Sequence, residues 1–167
     1  MVYKHLHTIN AQAIYSPCGS YRYQLLLNHS GKANGKRVCV IMQNPSVAGS
    51  EVADKSVQFL EKLIFEKQTK VFKKASQIVI VNQFARIQTK NFKGLAEDEG
   101  PENKAHIAQA IRASDIILIA WGKTNPFKEY QRAILQIIDT FKDKTVLMTK
   151  KHPSRGMYEN FILPFPA

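Results

Sequence analysis

The sequence predicts one α/β domain over residues 1–167, a three-layer αβα sandwich around a central, mainly parallel four-stranded sheet. Three observations carry this expectation. Apolar runs of strand length recur at residues 37–42, 77–82, 115–121 and 145–148, each continuous, as in strands covered on both faces. Segments of helical period separate them, so strand and helix alternate, and such alternation implies parallel neighbours with helices on both sides of the sheet. No repeat, low-complexity segment or linker divides the chain, and 167 residues suit a single core.

The elements follow in order. "RYQLLLNHS" (22–30) reads as a strand that can extend the sheet on its N-terminal side, and "SGKANGK" (30–36) as a turn. "RVCVIM" (37–42) ends abruptly in the loop chemistry of "QNPSVAGS". A helix is expected from about Ala53, because Val57, Leu60, Leu63 and Ile64 recur at helical spacing among Lys and Glu. "QIVIVN" (77–82) is the next strand, and residues 83–100 form a long polar connection, of a kind that is functional or mobile. "GPENKAHIAQAIRAS" opens a helix with Pro101 near its first turn. "DIILIAW" (115–121) closes at Gly122, and a further helix starts after Asn125 and Pro126 with the apolar stripe Phe127, Tyr130, Ile134, Ile137, Ile138 and Phe141. "TVLM" (145–148) is the fourth buried strand, and the proline-rich tail "YENFILPFPA" is left unassigned.

Charge and composition narrow the function. Lys and Arg number 24 against 13 Asp and Glu, a net +11, which favours a polyanion such as nucleic acid; a soluble basic protein is the plainer account. No apolar run reaches the roughly 20 residues that span a bilayer. The N-terminus lacks the pattern of a signal peptide. The two cysteines, Cys18 and Cys39, cannot make a four-cysteine metal site, and the four other histidines show no ligand spacing. The reading is a cytoplasmic protein with reduced thiols, no metal and no cofactor, whose partner is DNA, single- or double-stranded.

In open α/β sheets, ligands sit beyond the carboxyl ends of the strands. Here those ends carry Gln43, Asn44, Pro45 and Ser46, then Asn82 and Gln83, then Trp121 and Gly122, then His152, Pro153 and Ser154. The set holds amides, small residues and one histidine. It has no close carboxylate pair, which argues against two-carboxylate glycoside hydrolysis, and the chain has neither a P-loop nor a G-x-S-x-G elbow.

"MQNPS" after the first long strand, "VIVN" on the second and "HPS" after the last resemble, in this order, the motifs of the uracil-DNA glycosylase superfamily. More closely, "SPCGSYRYQL", "MQNPSVAGSEVADKS", "VNQFA", "GPENKAH" and "AWG" resemble an uncharacterised family of bacterial and phage proteins, a domain of unknown function. The superfamily resemblance implies a monofunctional DNA glycosylase that hydrolyses the N-glycosidic bond of a flipped base. It implies His152 as donor to the departing base and Asn44 as holder of the attacking water. Asn82, Gln43, Ser46 and Trp121 would meet the base. Lys150, Lys151, Ser154, Arg155 and Tyr158 would contact DNA. Ser46 stands where the uracil enzymes carry a Tyr against C5, and Gly156 where they carry an intercalating Leu. The expected base is therefore a modified pyrimidine with a larger 5-substituent.

Each residue also has a plainer reading. His152 reads equally as a solvated loop histidine, Asn44 as a turn residue before proline, Asn82 as a strand-end cap, Ser46 as a helix N-cap and Trp121 as core. Asp54 and Ser56 of "ADKS" read as helix capping. Tyr21, Arg22 and Tyr23 read as a nucleic-acid contact or as an amphipathic edge strand. The alternatives for the whole chain are a non-catalytic nucleic-acid-binding protein on the same fold, or a hydrolase of free nucleosides or nucleotides.

Overall fold

The structure is a computed structural model that describes residues 3–67 and 69–166. Seven strands form one mixed sheet: β1 (Ile9–Tyr15), β2 (Arg22–His29), β3 (Lys36–Met42), β4 (Ala75–Asn82), β5 (Ile116–Ile119), β6 (Thr145–Thr149) and β7 (Ile162–Pro164). Their order is β1-β2-β4-β3-β5-β6-β7. The four central strands β4, β3, β5 and β6 pair in parallel and are the four runs expected from sequence.

The expected four-stranded sheet is thus corrected to seven strands. β1 and β2 add antiparallel on one side and β7 on the other. β1 escaped notice because its inward residues are Ile9, Ala11 and Ala13, and two alanines make a weak alternation. β7 ends at Pro164, which an edge strand accommodates and a central one does not.

Strand alternation sends side chains to two cores. Val38, Val40, Ile78, Ile80 and Leu118 meet α1 (Lys55–Glu61) and the π-helical turn Lys62–Glu66 that continues it, through Val57, Leu60, Leu63 and Ile64. Cys39, Ile41, Val79, Val81, Ile117 and Ile119 meet α2 (Asn103–Arg112) and α3 (Lys128–Asp139), through Ile107, Ile111, Ile134 and Ile138. Helices therefore cover both faces. Each fully buried aliphatic side chain contributes about 1.5–3 kcal/mol by leaving water. Asp54 caps α1 as expected, its Oδ1 accepting the Val57 N–H at 2.8 Å. Cys39 lies in the core, its thiol pushed up to about 12 by burial.

The edge-strand reading of Tyr21, Arg22 and Tyr23 is also corrected. β1 pairs outside β2, so β2 is not an edge strand, and Arg22 and Tyr23 are 2% and 1% exposed. The 83–100 connection is tied down: Arg86 pairs with Asp98 at 2.8 Å, and Ala85 N–H donates to the Glu99 carbonyl. Among the described residues no helix is long and apolar enough to cross a membrane.

Candidate functional site

Two crossovers diverge at the centre of the sheet. The chain leaves β3 over the α1 face to reach β4 on one side; it leaves β5 over the α3 face to reach β6 on the other. Divergence between neighbouring parallel strands opens a crevice at their carboxyl ends. A cleft of about 490 Å³ lies there, lined by Gln43 beyond β3, by Trp121 to Pro126 beyond β5, and by Lys151, His152, Ser154 and Arg155 beyond β6. A second compartment of about 350 Å³ adjoins it, lined by Arg22, Met42 to Ser46, Asp54 to Ser56, Gln88 and Thr89. Gln43, His152 and Ser154 line both and form the shared wall.

The loop after β3 is held rigidly. Phe84 N–H donates to the Gln43 carbonyl at 2.9 Å and Gln88 N–H to the Pro45 carbonyl at 3.0 Å. Asn44 Nδ2 donates to the Gln88 carbonyl at 2.8 Å, and Asn44 Oδ1 accepts from Gln43 Nε2 at 3.1 Å. Gln43 Oε1 in turn accepts from Asn125 Nδ2 at 3.2 Å, and Asn125 Nδ2 also reaches Gln83 Oε1 at 2.7 Å. A chain of amides from three loops thus runs along the cleft floor, its side chains oriented before any ligand arrives.

His152 precedes the 3-10 turn Pro153–Arg155. Its Nδ1 accepts the Ser154 backbone N–H at 3.1 Å and lies 2.9 Å from Ser154 Oγ. A backbone N–H can only donate, so Nδ1 carries no proton and neutral His152 is the Nε2–H tautomer. Burial lowers the His152 pKa, Asp54 opposes that and Arg155 adds to it. The cleft therefore receives a neutral N–H donor. Gly122 turns the chain beside it at φ +96°, and a Cβ there would stand 3.4 Å from His152 Cβ. That backbone region favours glycine.

The structure brings together Gln43, Asn44, Ser46, Trp121, Lys151, His152, Ser154 and Arg155. Ser46 lines only the second compartment and Trp121 only the first of the two. Three expected site residues stay apart. Asn82 pairs with Met42 across the parallel ladder. It is 1% exposed and lines neither compartment, and its side-chain Nδ2 and Oδ1 are buried without a hydrogen-bond partner. By alternation it shares the face of Ile78 and Ile80, and its carbonyl is held by Asn103 Nδ2 at 2.8 Å. Lys150 is exposed outside the cleft, its N–H pairing with the Phe161 carbonyl. Tyr158 stacks on Phe59 at 5.2 Å with Lys67 over its ring. The same Phe59 ring would stand 2.2 Å from a Cβ at Gly156, so no larger side chain fits there unless it moves.

Sequence reasoning missed Arg22, Asp54, Lys123 and Asn125 as cleft residues. Asn125, between Gly122 and Pro126, lay within reach as one more polar residue beyond a strand end. Arg22 was legible as a cation between two tyrosines but not as a cleft residue, because its strand starts far in sequence from the carboxyl ends of the parallel strands. Burial lowers the Arg22 pKa to about 10, with Asp54 and Tyr15 opposing, so it stays charged at neutral pH.

A family model described as "Protein of unknown function (DUF1643)" matches residues 22–155. The matched span begins at Arg22 and ends at Arg155, and contains every residue lining the two compartments. No curated protein and no solved structure matches the chain.

Proposed function

The chain belongs to the DUF1643 family of proteins of unknown function, and we propose that it is a distant branch of the uracil-DNA glycosylase superfamily, a monofunctional N-glycosylase acting on a flipped base in DNA. One observation carries the reading: Gln43 and His152, from the two loops whose motifs resemble that superfamily, share one wall of a cleft at the sheet's point of divergence. The base lies in the compartment beside Trp121, its edge against the amides of Gln43 and Asn125, which offer both donors and acceptors.

Hydrolysis breaks the bond from C1′ to the base nitrogen, and the electron pair leaves with the base. His152 Nε2–H donates to the base oxygen where that negative charge gathers; one such donor is worth roughly 3 kcal/mol in the transition state. The water oxygen bonds to C1′. Asn44 holds this water through the free lone pair of Oδ1. Asp54, the one carboxylate among the described residues that lines either compartment, takes its proton. Lys123, Lys151 and Arg155 at the exposed rim attract the backbone of DNA.

A binding protein without chemistry is the second reading. One observation favours it: both ends of the Asn44 amide already serve the loop. Abasic-site formation on DNAs carrying uracil, thymine or bulky 5-substituted pyrimidines separates the two. Enzyme-dependent abasic sites in at least one DNA are expected. Salt-dependent binding to all of them with no abasic site in any overturns the hydrolase in favour of the binder.

A further inference from the structure

Arg22 is a buried cation whose hydrogen-bonding capacity the fold uses only in part. It is 2% exposed, and the ion pairs among the described residues are His5–Glu61 and Arg86–Asp98, neither involving it. Nη1 donates to the Ala48 carbonyl at 2.8 Å, while Nε has no partner. A guanidinium has five donors in a fixed fork. Burying it with one hydrogen bond is unfavourable unless something else completes the set. Arg22 lines the second compartment, so that partner can arrive from solvent.

The other walls say what kind of partner fits. Ser46, Ser56, Thr89 and Ser154 bring hydroxyls and Lys55 an ammonium. The apolar lining is confined to Met42 and Pro45, which is poor for stacking a base. Asp54 is the opposing charge, and its Oδ1 is already engaged by the Val57 N–H. Two cations against one carboxylate leave room for an anion with several acceptor oxygens, the geometry that a guanidinium fork recognises. Arg22 comes from "YRY", which the sequence offers as a nucleic-acid contact, and Asp54 and Ser56 from "ADKS", to which the sequence alone assigns only helix capping.

We infer that this compartment is a phosphate subsite, which seats the phosphate adjoining the nucleoside in the Trp121 compartment. The shared wall of Gln43, His152 and Ser154 puts the sugar between the two. The inference rests on the reading of the Trp121 compartment as a nucleoside site; it does not rest on hydrolysis. The phosphate is either a diester within a strand or the terminal group of a free nucleotide.

NMR titration with thymidine, thymidine 5′-monophosphate and a short oligothymidylate tests it on the full chain. The wild type should bind the monophosphate, the oligonucleotide or both at least about 10-fold more tightly than thymidine, the size of one charge-assisted hydrogen bond. Arg22→Gln should abolish that advantage while thymidine binding persists. Dependence on Arg22 for the oligonucleotide identifies a diester, and for the monophosphate alone a terminal phosphate. Equal binding of all three probes by the wild type overturns the subsite, as does an Arg22→Gln variant that keeps the advantage. Should Arg22→Gln fail to fold, Ser46→Ala/Ser56→Ala at half-buried positions reads the same ratio, and an unchanged ratio overturns it. An Arg22-dependent phosphate advantage without abasic-site formation removes the glycosylase and keeps the subsite; excision without that advantage does the reverse.

Discussion

His152 accepts the backbone N–H of Ser154 at Nδ1, 3.1 Å away, and this bond leaves the ring's only proton on Nε2. Pro153 between them has no N–H of its own, so Ser154 supplies the first available donor of the turn. The donor proposed for the departing base is thus set by three consecutive residues.

His152→Ala should lower excision by about 100-fold or more, as expected when one charge-stabilising donor is removed. DNA binding should survive. Single-turnover rates on a DNA that the wild type cuts are the check, and an unchanged rate would show that His152 does not act on the leaving base.

The same residue predicts a pH effect on stability. Burial holds the His152 pKa below its ordinary value of about 6.5. The unfolded chain then binds the proton more readily. Its contribution is fully present above that ordinary value and is lost as pH falls through the folded pKa. Urea unfolding of wild type and His152→Gln should show curves that converge on the acid side.

His5 predicts the opposite sign. Burial alone would lower its pKa, but the hydrogen bonds to the Glu61 carboxylate (2.5 Å) and the Gly49 carbonyl (2.7 Å) outweigh it and leave the pKa raised. Its contribution is fully present below about 6.5 and is lost as pH rises through the folded pKa. Glu61 is fully buried and also accepts the Leu6 N–H. Glu61→Gln should reduce stability by about 3 kcal/mol, as when one partner of a buried pair is removed, and flatten the pH dependence. Thermal melts across neutral pH would show both.

The rim predicts salt dependence. Replacing Lys123, Lys151 and Arg155 with Ala should weaken binding to DNA of any sequence. It should also reduce the log–log salt slope by roughly 0.7–0.9 for each phosphate no longer neutralised by a side chain. A triple variant with the wild-type slope would put the DNA elsewhere on the surface.

Ser46→Tyr separates two roles for the second compartment. Ser46 stands beside Arg22 and away from Trp121. Added bulk there should impair binding of the phosphate-bearing probe and leave the preference between uracil and 5-substituted pyrimidines unchanged. Loss of activity on bulky bases alone would instead put Ser46 at the C5 edge of the base.

The central strands were legible because each is a continuous apolar run, and a strand covered on both faces has to be one wherever it lies. The loops beyond them were legible for a related reason: the carboxyl ends of parallel strands face one way, so Gln43, Asn44, Trp121, His152 and Ser154 meet at one rim. The cap on α1 at Asp54 and the core position of Cys39 are likewise local consequences of residue type. Tertiary structure decided what pairing and alternation decide. β1 pairs outside β2, and the loop after β3 lies over the start of β2, so Arg22 is a buried cation lining a cleft rather than a surface residue of an edge strand. Asn82 stands opposite Met42, which lines the second compartment, yet Asn82 itself is 1% exposed and lines neither. Such outcomes depend on which strand lies alongside, a pairing between distant segments that no local pattern of residues encodes.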